Sequence, residues 1–244
     1  MKVYLDNNIL ISIEDKELSI DDILNENNNI SFVYSYVHIQ ELLESRINFD
    51  DLKKKRVGTI RMLTNNAYVY ADNNDTIGLK KENPETVIDL LKQYPILFGA
   101  SKSAVENIDI NRKRFIDFLK IEEKRMNNYS PGQVFEYLNN AVKNSRLSMG
   151  FDDFIDLSGN TLRERICTLF NRLDDVGFWK DKKTKKSNLA RLYDSSHAYF
   201  ASSCVYFVSN DKRTLNKANV AYSFYNLKTK AISFDEFKQV IKCK

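Results

Sequence analysis

Two short apolar runs, one near each end of the chain, both stop at an acid. Lys2-Val3-Tyr4-Leu5 runs into Asp6-Asn7-Asn8, and Cys204-Val205-Tyr206-Phe207-Val208 runs into Ser209-Asn210-Asp211. Both are β-prone, and helical spacing follows each of them, through Ile9-Leu10-Ile11 in the first case and Leu215, Ala218, Ala221, Tyr222 and Tyr225 in the second. Each therefore reads as strand, turn, helix. Open parallel sheets place their ligand sites beyond the carboxyl ends of their strands, which is where Asp6 and Asp211 stand. Taken alone, Asp6 reads equally well as a cap for the helix behind it.

The intervening acids follow the same logic. Ile30 to Ser35 is a second strand candidate, and Ser35 is placed to cap a helix through Val37, Gln40, Glu41, Leu42 and Glu44 to about Ile47. Glu41 and Glu44 sit one turn apart, so either can face the sheet edge while the other is solvated. Leu189, Leu192, Tyr193, Ala198, Phe200 and Ala201 predict a helix that puts Asp194 and His197 on one face. An imidazole one turn from an Asp is more often structural than catalytic. A short strand around Lys230–Ser233 and a last helix from Phe234 complete the order. The pattern is that of an α/β protein, a parallel sheet flanked by helices, with acids gathered at one edge.

Composition narrows the chemistry. The 244 residues are 43% hydrophobic with only 7 Gly and 3 Pro, which excludes disorder and collagen-like repeats. No run approaches the roughly 18 apolar residues of a membrane span, and the start MKVYLDNN lacks a signal-peptide pattern, so a cytoplasmic protein is expected. Cys167, Cys204 and Cys243 are widely spaced and read as reduced and structural. With only His38 and His197 as further nitrogen ligands, any metal here has to be held by oxygen. A strand-Asp start also suits an aspartyl-nucleophile phosphatase, but that chemistry wants a second Asp where Asn8 stands.

Charge is uneven. Residues 1–50 hold 3 basic and 10 acidic side chains (net −7), residues 51–150 hold 17 and 12 (net +5), and residues 151–244 hold 17 and 11 (net +6). Such a division sets a cation-binding spot beside surfaces attractive to polyanions, although basic runs also face water without binding anything. Residues 84–187 carry four helical patterns, around Val87–Leu91, Phe115–Leu119, Val134–Ala141 and Leu162–Leu173, with breaks near Pro95, Pro131-Gly132, Gly150 and Gly159. We read this segment as an enlarged helical insertion, about 84–187, in a single domain whose core segments are about 1–70 and 188–244. Arg112, Lys113 and Arg114, followed by Lys120, Lys124 and Arg125, form one basic stretch, and the loop with Lys180, Lys182, Lys183, Lys185 and Lys186 forms another. Both are candidates for contact with nucleic acid, with Arg112, Arg114, Lys182, Lys183, Lys185 and Lys186 its leading residues; their bland reading is a solvated helix face and a polar loop. Trp179 with Phe178 is placed to stack an unpaired base or to pack in a core. Lys53-Lys54-Lys55-Arg56 carries the same ambiguity.

These residues resemble a PIN-domain nuclease, the family that includes toxin ribonucleases of bacterial toxin–antitoxin pairs. The pieces that carry the resemblance are VYLDNNIL with Asp6, the helix from Ser35 to Glu41, DSSHAYFA with Asp194, VSND with Ser209 and Asp211, and the closing AISFDEFKQV. It spans roughly the first 50 and last 57 residues. The family commonly has Thr where Asn7 and Ser209 stand, and compact members have far fewer residues between Glu41 and Asp194. The resemblance implies that Asp6, Glu41, Asp194 and Asp211 hold one or two divalent cations, Mg²⁺ or Mn²⁺, and are the catalytic set of a metal-dependent endoribonuclease. Ser209, Asn8 and His197 would support them. RNA is the favoured substrate, with DNA open. By analogy alone, toxin or defence activity, an antitoxin or other protein partner, and a homodimer stay open too. The competing reading is a non-catalytic nucleic-acid-binding or protein-interaction module on the same fold.

Overall fold

Val3, Tyr4 and Leu5 are all buried, and because successive residues of a strand point to opposite faces, both faces of this strand are covered. This strand, β1 (Lys2–Leu5), lies second in a four-stranded sheet. The structure is a computed structural model, and it describes residues 1–19, 29–44, 49–93, 112–145, 150–156, 159–182 and 184–242. Those residues fall into two compact units, one of residues 1–99, 200–211 and 229–244, the other of residues 100–199 and 212–228.

The first unit is α/β. After β1 come α1 (Asn7–Glu14), β2 (Ser31–Val33), α2 (Tyr36–Leu43), α3 (Phe49–Thr64), β3 (Ala67–Ala71), β4 (Ile77–Lys81) and α4 (Pro84–Gln93). The sheet order is β2-β1-β5-β6, with β5 (Tyr206–Val208) and β6 (Lys230–Ile232) supplied from the far end of the chain and every pairing parallel. The register pairs Tyr4 with Phe207 and Leu5 with Val208, so the residues that follow β1 and β5 leave the sheet side by side. Its closing helix is α12 (Phe234–Lys242) in our numbering, whose Phe234, Phe237 and Ile241 join Val3, Leu5, Phe32 and Val208 in one apolar core.

Between α3 and β3 the chain turns at Asn65 and Asn66, both at positive φ, a conformation Asn tolerates better than most side chains. β3 and β4 then form an antiparallel hairpin whose turn is fixed by Asp72, whose Oδ1 accepts the N–H groups of Asn74 (2.8 Å) and Thr76 (2.9 Å). One bridge, Tyr34 to Tyr68, attaches this hairpin to the β2 side of the sheet. Nothing in the sequence pattern anticipated the hairpin.

The second unit is helical among the described residues. It contains α5 (Arg112–Leu119), α6 (Glu123–Met126), α7 (Pro131–Lys143), α8 (Phe151–Asp156), α9 (Leu162–Asp175), most of α10 (Lys185–Ala201) and α11 (Lys212–Phe224). α7 packs against α8 and α11, and α9 packs against α5, α8 and α11. Pro131 opens α7 behind a capping box in which Ser130 and Gln133 hold each other's backbone, and Thr161 with Glu164 does the same for α9. α4 groups with the sheet unit, and α11, which follows β5, groups with the helices. The expected break at Pro95 and the end of the Ser35 helix at Ile47 lie outside the described residues; α2 ends at Leu43, with Glu44 as its exposed C-cap.

Candidate functional site

The candidate site is built where β1 and β5 end. Asp6 is 4% exposed and serves as N-cap of α1, so capping and placement at the sheet edge, read from sequence as alternatives, are both realised. Its Oδ1 accepts the Asn7 N–H (2.7 Å), and its Oδ2 accepts from Asn8 Nδ2 (2.7 Å) and from the Ser209 hydroxyl (2.6 Å). Three donors offset the desolvation of a buried carboxylate and fix the carboxylate's orientation. Ser209 is fully buried and its Oγ in turn accepts the Asp211 N–H at 3.1 Å. Asn8 completes the lacing, its Oδ1 accepting the Asn210 N–H at 3.1 Å. Asp211 itself is exposed.

Glu41, half-buried on α2, reaches the same turn through Asn7, whose Nδ2 donates to Glu41 Oε2. The other end of that amide, Asn7 Oδ1, accepts from Arg56 of α3. Arg56 forms a two-pronged pair with Glu14, Nε to Oε1 at 2.5 Å and Nη2 to Oε2 at 3.2 Å, with both side chains about 5% exposed (6% and 4%). The basic cluster at 53–56 thus divides: Lys55 pairs with Asp15 in solvent, while Arg56 is an interior residue of the sheet unit.

A further strap holds α2 to β1. Ser35 caps α2 and its Oγ shares a 2.6 Å hydrogen bond with the Tyr4 hydroxyl. The Ser35 N–H donates to His38 Nδ1 (3.1 Å), which assigns the imidazole proton to Nε2, and Nε2 donates to the Leu5 carbonyl (2.8 Å). His38 therefore fixes the residue immediately before Asp6. Burial, with the nearby Asp6 and Glu41 charges adding to it, holds the Tyr4 hydroxyl well above its ordinary range, while the Ser35 hydrogen bond works against that shift. Asn7, His38 and Arg56 are not marked as site residues by the sequence pattern. For the first two the available signal was position: Asn7 directly follows the strand-end acid, and His38 stands three residues after a capping Ser.

Of the expected acids, Asp6, Glu41 and Asp211 lie in the first unit with Asn8 and Ser209. Asp194, half-buried, and His197, fully buried, lie on α10 in the second unit. The donor set is all oxygen, the chemistry a hard cation prefers. Among the described residues, however, no group of three or more His, Cys, Asp or Glu side chains is gathered as a metal ion would require.

The expected nucleic-acid residues also divide. Lys182, Lys185 and Lys186 are exposed, but Lys185 and Lys186 open α10 instead of lying in a loop, because Thr184 caps that helix by accepting the Ser187 N–H at 3.0 Å. Lys183 lies outside the described residues, as do the side chains of Arg112 and Arg114 at the start of α5. Trp179 is half-buried beside the fully buried Phe178. Cys204 is buried and Cys167 partly so, both free; burial pushes the Cys204 thiol up to about 11 and raises Cys167 as well, so neither is a ready nucleophile. Cys243 lies outside the described residues. No helix among the described residues is long and apolar enough to cross a membrane.

Comparison of the chain with protein-family models, with curated proteins and with solved structures finds no match.

Proposed function

We propose that this protein is a metal-dependent phosphodiester hydrolase of PIN type acting on RNA. One observation carries the reading. Asp6 and the Ser209–Asp211 turn follow adjacent parallel strands at their carboxyl ends and are joined by the 2.6 Å hydrogen bond from Ser209 to Asp6. That edge is where an open α/β sheet accepts a ligand.

In this reading the acids of the first unit, Asp6, Glu41 and Asp211, are the proposed holders of a divalent cation, Mg²⁺ or Mn²⁺. Such an ion, when bound, neutralises phosphate charge and lowers the pKa of an attacking water. The chain's own residues do the positioning. Ser209 and Asn8 hold the Asp6 carboxylate in one orientation, Asn7 restrains Glu41 while Arg56 restrains Asn7, and the His38 strap keeps β1 and α2 in register. A carboxylate restrained by neighbours loses little freedom on taking up an ion, which favours binding.

A second reading, a non-catalytic nucleic-acid-binding module on this fold, draws on two observations: the burial of Asp6 among three hydrogen-bond donors, and the lack of a three-acid group among the described residues. Labelled RNA and DNA incubated with Mg²⁺ or Mn²⁺ separate the readings. Hydrolase activity is expected to fall at least 100-fold in Asp6→Asn and Asp211→Asn, as roughly expected for loss of charge stabilisation at a reacting phosphate. Equal cleavage by wild type and both variants would mark the activity as a contaminant and leave the binding module. Calorimetric titration with Mn²⁺ supplies the independent arm: heat that disappears in Asp6→Asn supports a metal site.

A further inference from the structure

The second unit contains a cavity of about 570 Å³ lined by Lys124, Asn127, Trp179, Lys180 and Arg213. Trp179 thus shares this lining with three cations and with Glu123, which pairs with Lys180. From this juxtaposition we infer that the cavity binds one unpaired nucleotide of a single strand, the base stacked on Trp179 and its phosphate held by Lys124 and Arg213. As the substrate-gripping part of the proposed hydrolase the inference rests on that reading; as a binding site it stands alone.

The loop bearing Trp179 is built to present the ring. Trp179 sits at φ 43°, an uncommon backbone conformation for a bulky side chain that persists only where neighbours over-determine it. The neighbours are specific. The Trp179 N–H donates to Asn127 Oδ1 at 2.6 Å, and the Phe178 N–H donates to the Leu173 carbonyl at 2.9 Å with the Phe178 ring fully buried. Gly177, at φ 85°, passes so close to Glu123 that a Cβ there would meet Glu123 Cγ at 2.5 Å.

Beyond the indole, Asp181 anchors the loop from its other end. Its carboxylate takes Lys217 Nζ at 2.8 Å, and its N–H donates to Asp174 Oδ1 at 2.7 Å. Asp174 is fully buried against Arg191 (3.2 Å) and Lys217 (3.4 Å), each of those side chains 2% exposed. Two acids and two bases balance, so the network adds no net charge and serves as a rigid base. Trp179, half-buried, lines the cavity beside exposed Lys124 and Arg213. A solvated basic patch needs no such scaffold. Stacking on an aromatic face with cations tracking the backbone is how unpaired strands are held without sequence preference.

The chain has a single Trp, so its fluorescence reports this cavity alone. The full-length protein, kept metal-free with chelator so that nothing is hydrolysed, is titrated with a short oligouridylate, an oligodeoxythymidylate of the same length, and inorganic polyphosphate. Saturable quenching by either oligonucleotide, with none from polyphosphate, is expected. Anisotropy of a labelled oligonucleotide should show affinity falling roughly 5- to 100-fold in Trp179→Leu, with partial recovery in Trp179→Phe. Replacing Lys124 and Arg213 together by Ala should reduce the slope of log affinity against log salt by about 0.7, the share of one phosphate. No quenching, or unchanged affinity in Trp179→Leu, overturns the site. If hydrolysis is then seen with Mn²⁺, the hydrolase reading survives without it; quenching with no hydrolysis keeps the nucleotide site and removes the hydrolase.

Discussion

The Ser209 hydroxyl donates to Asp6 Oδ2 across 203 residues of chain and at the same time accepts the Asp211 N–H. One fully buried oxygen thus couples the acid after β1 to the acid after β5. Ser209→Ala removes both bonds, together with the one Ser209 Oγ accepts from Asn8 Nδ2 at 2.9 Å, and leaves a buried carboxylate short of a donor, which should cost about 1–3 kcal/mol. Urea unfolding should show a lower midpoint with an unchanged slope. Under the hydrolase reading cleavage should fall too, because the Asp211 turn loses its anchor. An unchanged midpoint would mean the bond is not part of the folded protein's stability.

Arg56 and Glu14 make a buried, two-pronged pair, and Arg56 also reaches Asn7. Removing one partner leaves the other charge buried, so Arg56→Met or Glu14→Leu alone should destabilise by about 3–5 kcal/mol. The double variant should recover most of that loss, since neither charge then remains. Arg56→Lys should recover little, because an ammonium lacks the fork that spans both carboxylate oxygens and Asn7. Denaturant titration of the four proteins gives the coupling directly; strict additivity of the two single losses would contradict it.

These residues also show what was legible in the sequence. β1, β5 and the Ser35 cap were readable because strand-ending acids and capping hydroxyls act on their immediate neighbours. Arg56 was hidden in the run Lys53-Lys54-Lys55-Arg56, although its helical phase with Ile60 and Leu63 marks it as inward-facing. The β3–β4 hairpin was missed because β4 is mostly exposed and carries Gly78, Lys80 and Lys81, without the apolar alternation that identifies a half-buried strand. Lys185 and Lys186 read as loop because positive charge disfavours a helix N-terminus; the Thr184 cap and the apolar residues downstream outweigh it. Whether Asn7 bridges Glu41 to Arg56 depends on three elements meeting, which local pattern does not encode.

Alkaline pH should unfold this protein through its buried acids of low acidity. Burial raises Cys204 to about 11 and holds Tyr4, Tyr34 and Tyr68 well above the ordinary phenol range. Their unfolded values are roughly 8.5 for the thiol and 10 for the phenols. A folded value above the unfolded one means stability that is complete below the unfolded value and is lost as pH rises through the folded value. Stability should therefore be level to about pH 8 and decline from about pH 9, by about 1.4 kcal/mol per pH unit for each group then ionised only in the unfolded chain. Cys204→Ala should lessen the early part of the decline, to which the partly buried Cys167 thiol also contributes, and leave the steeper part above about pH 10. Urea midpoints across the range, with tyrosinate absorbance, check this; a flat profile through about pH 11 would contradict it.

Gly177 and Gly132 offer a paired test of the Trp179 loop. Ala at 177 meets a φ of 85° and places its Cβ 2.5 Å from Glu123 Cγ, whereas Ala at 132 has nothing within 4 Å and sits in the first turn of α7. Gly132→Ala should be neutral or stabilising by up to about 1 kcal/mol, because it reduces the freedom of the unfolded chain in a helix. Gly177→Ala should cost more than about 1 kcal/mol, since both backbone strain and collision oppose it. It should also push Glu123 away from Lys180 and loosen the loop, shifting Trp179 emission to the red. Thermal melts and emission spectra of the two variants, taken side by side, decide the point. Equal stability and identical spectra would show that the loop is not held against α6 as described.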